Sequence, residues 1–458
     1  MKKFKYKNQL KEINLIAIPI FSTYLLELLF TVIDQAIIGH TSVEGFAAVG
    51  IVASLIYGIT GALGMISGAF NILFAKSIGG KNIEKQKRLF GTAITFSLLL
   101  GVLIEIVTLC FGKKFLIHFY TLSNKELQYA CDYMYIAMLG VGINMILFTF
   151  SSYFKNIKKV RVYLYTTLVS TPINLFLDWS LVFGKLGFPK LGVKGAAIGT
   201  VVGLFASIIV CIICYKKYNG IQYNLKICKT ELKEILKLFI PMSIQDFVEC
   251  TLFAVLIMSI VSRLGTESTA IYNLLLSIIS IVTFPMFSYA GSSLTLVSQA
   301  DGMNNKTNIK VYPILAVLSA LFFITIASII IIINPKIISS LITNDINLIN
   351  STGILIVYAV GIQVFNLIQE VYKNSLLGLL YEKWVLVYST IVSFIIVAIV
   401  YFLAIVMQLN LRGVWLGLGL NYFILSVGYI IKFYKGGNIH KNSNQLGESS
   451  IIRGDVIE

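Results

Sequence analysis

The sequence predicts an all-α polytopic membrane protein: twelve transmembrane helices as two parallel six-helix repeats, an N-lobe and a C-lobe, around a central crevice. Three observations predict it. The 458 residues are 57% hydrophobic and only 13% charged, where soluble domains carry about 25% charge. Apolar runs recur along the whole chain, each long enough to cross ~30 Å of hydrocarbon. Residue patterns in the first half return in the second at a shift of about 222 positions.

The runs are continuous rather than alternating, which reads as helices and not as an outer-membrane barrel. In order they cover 13–38, 46–75, 89–111, 130–152, 161–184, 192–215, 237–262, 268–298, 311–333, 351–372, 384–407 and 411–431. The second is so long that it must tilt, bend or protrude. The division that follows is an N-lobe over 1–215, a basic cytoplasmic linker over 216–236, a C-lobe over 237–435 and a polar tail over 436–458. The tail's composition predicts disorder.

The net charge of +16 is a topology signal once it is located. Lys2, Lys3, Lys5, Lys7 and Lys11 lie on one side, with the loops near 76–88, 155–161, 216–237, 299–310 and 373–383 and the C-terminal end. That side holds 28 of the 37 Lys and Arg residues; the other side holds 9. This is the positive-inside bias. It places both termini in the cytoplasm of a cell that inserts the chain in its inner or plasma membrane, and it argues against nucleic acid as a partner. Residues 1–11 run into the first span with no small-residue cleavage site, as in an uncleaved signal anchor. Cys211 and Cys214 form a CxxC without a second pair, and His40, His118 and His440 have no ligand spacing, so neither set predicts a metal site.

The repeat is carried by many small matches. Pro19 and Glu27 return as Pro241 and Glu249. Glu44, Ala47, Gly79 and Asn82 return as Glu267, Ala270, Gly302 and Asn305. Ser152, Tyr165, Thr167 and Ser170 return as Ser375, Tyr388, Thr390 and Ser393. Each unit holds six spans, so both insert the same way up, as in parallel-repeat transporters.

Charges inside the spans are Glu27, Asp34, Glu105, Asp178, Glu249 and Glu370, all acidic. A carboxylate at mid-membrane costs at least ~2.5–3.5 kcal/mol, and such residues face bundle interiors and mark ion or substrate pathways. The segment TPINLFLDWS (171–180) is the densest case. Asn174 and Asp178 are four apart and share a helix face. Pro172 removes a backbone donor and loosens the turn before it, which makes it a candidate bend. A carboxylate with an amide oxygen and a hydroxyl suits Na⁺; a buried carboxyl alone can carry a proton. Glu370 has Lys373 three residues on and reads as a local ion pair.

The block NLFLDWSLVFGKLGFPKLGVKGAAIGT (174–200) resembles the fifth and sixth helices of the multidrug and toxic compound extrusion (MATE) transporters. VIDQAIIGH with EGFAAVGI in the first two spans, and FVECTLFAVLIMSIVSRLG (247–265), are similar to the family's first, second and seventh helices. The resemblance covers nearly the whole chain. It implies an antiporter, not an enzyme, that exports organic and often cationic compounds in exchange for Na⁺ or H⁺ by alternating access of two lobes. It implies an N-lobe cation site, possible for Na⁺, at Asp34, Asn174, Asp178 and Thr200. It also implies a C-lobe cation or substrate site at Glu249 and Asn366, where the family's helix-ten aspartate is replaced by Asn. No cofactor is expected beyond the coupling ion, and the partners are the transported compounds and membrane lipid. With both lobes in one chain, a monomer suffices. Aromatic rings suited to lipophilic cations are Tyr24, Tyr57, Tyr135, Tyr272, Phe287 and Tyr289. The rival class is a flippase for a lipid-linked oligosaccharide, whose anionic cargo would call for basic residues inside the spans.

Overall fold

The computed structural model describes residues 6–39, 42–340, 342–343 and 345–436; most of the polar tail therefore lies outside the described residues. All regular structure among these is helical. The elements are α1 (Lys7–Gly39), α2 (Val43–Gly79), α3 (Ile83–Phe119), α4 (Asn124–Ala137), α5 (Leu139–Asn156), α6 (Arg161–Phe183), α7 (Val193–Lys217) and α8 (Lys229–Asp246). They continue as α9 (Phe253–Ser262), α10 (Thr266–Gly302), α11 (Lys306–Ile333), the short α12 (Pro335–Ser340) and α13 (Ile346–Ser351), α14 (Gly353–Gly361), α15 (Gln363–Gly378), α16 (Glu382–Tyr401) and α17 (Asn410–Gly436). A π-helical turn, Phe247–Leu252, joins α8 to α9, and a second, Phe402–Val406, extends α16. α4 with α5, α8 with α9, and α14 with α15 each make one crossing, so the chain passes twelve times.

Eleven of these passes are long and apolar enough to cross a membrane on length and composition. The exception is α6, which carries Asn174, Asp178, a proline and several hydroxyls. Its polarity marks the site described below. Most helices overrun the apolar runs that announce them. α2 and α3 each extend to 37 residues, because charged residues end a hydrophobic stretch without ending a helix. Caps do that. Ser42 accepts from the Gly45 amide and Asn82 from the Lys85 amide, while Ser123 and Glu126 form a reciprocal capping box.

The chain divides into two compact units. One comprises residues 1–247 with 295–312, the other 248–294 with 313–458. The first unit thus holds α1–α8 and the ends of α10 and α11. Its core is an aromatic cluster in which Phe90 meets Phe70, Phe150, Tyr153 and Tyr215 at ring separations of 5.0–6.1 Å. In the second unit Trp415 is buried against Tyr272. The repeat is visible in matching helix contacts. Ser67 of α2 meets Ser152 of α5 at 2.9 Å, and Ser293 of α10 meets Ser375 of α15 at 2.9 Å.

Candidate functional site

Asp34 lies near the end of α1, five residues before Gly39, and Asp178 lies one turn from the end of α6. The fold brings their carboxyl groups into hydrogen-bond contact. Asn174, one turn before Asp178 on α6, donates its Nδ2 to Asp178 Oδ2 at 2.9 Å. Thr200 stands on the facing helix α7, where its hydroxyl donates to the Ala196 carbonyl at 3.0 Å. Asp178 is wholly buried. Oδ1 of Asp34 and Oδ1 of Asp178 are both buried and accept no hydrogen bond from the protein. The four residues inferred for the N-terminal half therefore converge within the first compact unit.

Tyr133 of α4, which the sequence reading did not single out, completes the group. Its side chain is buried, faces Thr200 and lies in the field of both aspartates. The residue named instead, Tyr135, points away, toward the Lys113 backbone. The two positions are about 200° apart on a helix of 3.6 residues per turn. The buried face of α4, Ala130, Tyr133, Met134 and Ala137, has the i, i+3, i+4, i+7 spacing that selects Tyr133 over Tyr135.

The approach of α6 to α7 is what buries Asp178. α7 presents Gly195, Gly199 and Gly203 to α6, so the backbones come close. A Cβ on Gly199 would lie 2.0 Å from Asp178 Oδ1 and 3.2 Å from the Asn174 carbonyl oxygen. The carboxyl fills the space that glycine leaves. Gly199→Ala is therefore expected to displace Asp178 from Asp34 and to destabilise the fold by about 1–3 kcal/mol through overpacking. Transport should suffer more than the melting temperature does, which parallel transport and thermal-unfolding measurements would check.

Two neighbouring carboxyl groups attract a positive charge between them. The arrangement can hold one proton, or one small cation on the free Oδ1 atoms with the Asn174 amide oxygen and the Thr200 hydroxyl in support. That donor set is all oxygen, which suits a hard cation.

In the second half, Asn366 donates to the Gln363 side chain at 2.8 Å. Glu249, on the π-helical turn, instead meets Lys373 at 3.0 Å, and Lys373 meets Glu370 at 2.6 Å. Sequence reading placed Lys373 in a loop. α15 runs on to Gly378, which puts the lysine inside the helix, so the interior charge of this half is not purely acidic. The candidate aromatic residues have different surroundings within their own units. Tyr289 is fully buried and stacks on Phe323, Tyr272 packs on Trp415, and Tyr57 and Phe287 are exposed. Tyr24 is partly covered within the first unit.

A family model, MatE, matches residues 19–180 and again 241–403. The chain belongs to the MatE family. The two matches begin 222 residues apart, the shift seen in the sequence. The MATE resemblance, the all-helical fold and the multi-pass membrane assignment therefore hold, and the family is one of multidrug efflux transporters. Over 437 residues the chain is 25% identical to the probable multidrug resistance protein NorM of Thermotoga maritima, covering 93% of this chain and 92% of that one. It is 24% identical over 423 residues to a protein of the same description from Bacillus anthracis, covering 90% and 92%. Among solved structures, the outward-facing conformation of a multidrug resistance MATE family transporter of the MOP superfamily superposes with a TM-score of 0.84 at 18% identity, covering 95% of this chain and 98% of that one. A MOP superfamily transporter from Pyrococcus furiosus superposes at 0.83 with the same identity and coverage.

Proposed function

We propose that this MATE protein exports small organic cations across the cell membrane in exchange for H⁺ or Na⁺, with both termini in the cytoplasm. In this reading the coupling ion is held by Asp34 and Asp178, with Asn174, Thr200 and Tyr133 around them. The observation that carries the reading is the buried contact between two carboxyl groups that have oxygens to spare. Such a pair binds a proton or Na⁺ tightly in one conformation and releases it when the carboxyls separate. An ion can drive a conformational change only through that difference in affinity. Pro172, six residues before Asp178 along α6, leaves the helix short of one backbone hydrogen bond at the point where it would flex. The prevalence of acidic over basic residues inside the spans favours cationic cargo over the anionic lipid carriers of a flippase.

The test is dye efflux from vesicles. Inside-out vesicles carrying the protein are expected to move ethidium when a Na⁺ gradient or a pH gradient is imposed, and not when both are collapsed. Vesicles that respond to neither gradient would sink the antiport reading.

A further inference from the structure

In the second compact unit the carboxylates of Glu249 and Glu370 converge on one ammonium group. Lys373 Nζ lies 3.0 Å from Glu249 Oε2 and 2.6 Å from Glu370 Oε2, and all three side chains are 12–13% exposed. Asn374 donates to Glu370 Oε1 at 2.9 Å. Gln369, 5% exposed, directs Nε2 toward Glu370 Oε2 at 3.5 Å, while its own Oε1 is buried without a partner. Glu249 Oε1 is also buried without a partner. Two carboxylates and one ammonium leave a net negative charge, and two acceptor oxygens go unused. Lys373 therefore occupies the cluster without saturating it.

Resting on the cation-export reading, we propose that Lys373 is a built-in competitor at the carboxylates of Glu249 and Glu370, displaced there by the positively charged nitrogen of an organic cation. Lys373 is the tethered ammonium that holds the place until the ligand displaces it. The chemistry of occupant and ligand is the same: a positively charged nitrogen against two carboxylates and an amide oxygen. Lys373 sits five residues from the end of α15 at Gly378, on a flexible four-carbon stem that can swing its compact charge out to water. The residual exposure of the three side chains leaves a way in. Exchange keeps the charge in the cluster constant, since one cation leaves as another enters. A tethered competitor also limits how tightly cargo is held, which lets it leave again. If the lysine is seated in about nine molecules of ten, ligand binding is weakened about tenfold.

The experiment measures ethidium binding to the purified full chain by fluorescence titration, alongside ethidium export by vesicles containing the wild-type protein. Lys373→Met is expected to bind ethidium about tenfold more tightly than wild type, and adding both Glu249→Gln and Glu370→Gln is expected to abolish the gain. Lys373→Met leaves two facing carboxylates and could fail to fold. Lys373→Met with Glu370→Gln keeps the cluster's net charge at the wild-type value and is expected to show the same direction of change. Wild-type affinity in every variant lacking Lys373, with wild-type vesicles that do export ethidium, would overturn the displacement proposal alone. Vesicles that export no cation, with tighter binding in the variants, would uphold the site and remove the export reading.

Discussion

Asp178→Asn is expected to abolish ion-driven export while leaving a folded, membrane-inserted protein. The amide matches the carboxyl in size and can still pair with Asn174, which now donates at 2.9 Å, so packing against Gly199 is preserved. What is lost is the charge. Removing one partner of a desolvated charge pair costs on the order of 3–5 kcal/mol, which corresponds to roughly 150- to 5,000-fold in affinity for the cation. Asp178→Glu should not rescue, because the longer side chain would have to enter the space that ends at the Gly199 backbone. On the proposed reading, in which Asp34 and Asp178 hold one ion, Asp34→Asn with Asp178→Asn is expected to be no worse than Asp178→Asn alone, a non-additive result typical of residues in contact. The measurement is the initial rate of ethidium efflux under a fixed gradient, with thermal unfolding as the control for folding. Wild-type rates in Asp178→Asn at equal protein would remove the pair from the coupling step.

What the sequence made legible follows from cost. Carboxylates inside apolar runs are expensive, so Asp34 and Asp178 stand out in a chain with few charges, and the spacing shows which face Asp178 shares with Asn174. Glycine at every fourth position of α7 is equally visible, but what it is for is not. Only the fold shows that Gly199 makes room for the Asp178 carboxyl. Tyr133 was hidden because aromatic residues are common here and its value depends on helix phase. The pairing of Lys373 with Glu370 was legible and holds, but the lysine's place inside the helix bundle was hidden for a different reason. Lys373 follows the apolar run that defines the tenth span, and hydropathy ends that span where the helix continues for another turn and a half. A charge at the margin of a span can point inward as well as outward, and here its partner, Glu249, is 124 residues away. Helix number and order were the easiest features to read, since twelve apolar runs and a repeat specify them redundantly. The compact units do not follow the linker. The boundary between them falls at Phe247 and Val248, where the π-helical turn begins, and no periodicity in the sequence marks that position.

The second large effect is expected at Gly302. In the first compact unit the ends of α2 and α10 cross at backbone contact: a Cβ on Gly79 would lie 2.2 Å from the Gln299 carbonyl oxygen, and one on Gly302 would lie 2.3 Å from that of Lys76. Gly79 and Gly302 are equivalent positions of the two repeats. Equivalent residues of a two-fold arrangement touch only near its axis. Polar contacts close around the crossing. Lys76 pairs with Asp301 at 2.6 Å, Asn71 donates to Thr295 at 3.0 Å, and Gln299 donates to the Asn156 side chain at 3.0 Å. Backbone cannot retreat as a flexible side chain can, so Gly302→Val must push the helices apart. At about 1–3 kcal/mol for an overpacked contact, the equilibrium between the crossed arrangement and one in which these ends separate should move by roughly 5- to 150-fold. In a background with the native cysteines replaced, Lys76→Cys and Asp301→Cys are expected to cross-link readily with glycine at 302, and at least about fivefold more slowly with valine there. Export should fall with the cross-linking rate, because a transporter needs both arrangements in every cycle. Breaking the ion pair alone, with Asp301→Asn, should matter much less: both partners are about one-fifth exposed, and exposed pairs contribute about 0–1 kcal/mol. The ordering decides the matter. If Asp301→Asn slows export more than Gly302→Val does, charge and not backbone proximity holds the crossing, and the glycines have some other reason to be there.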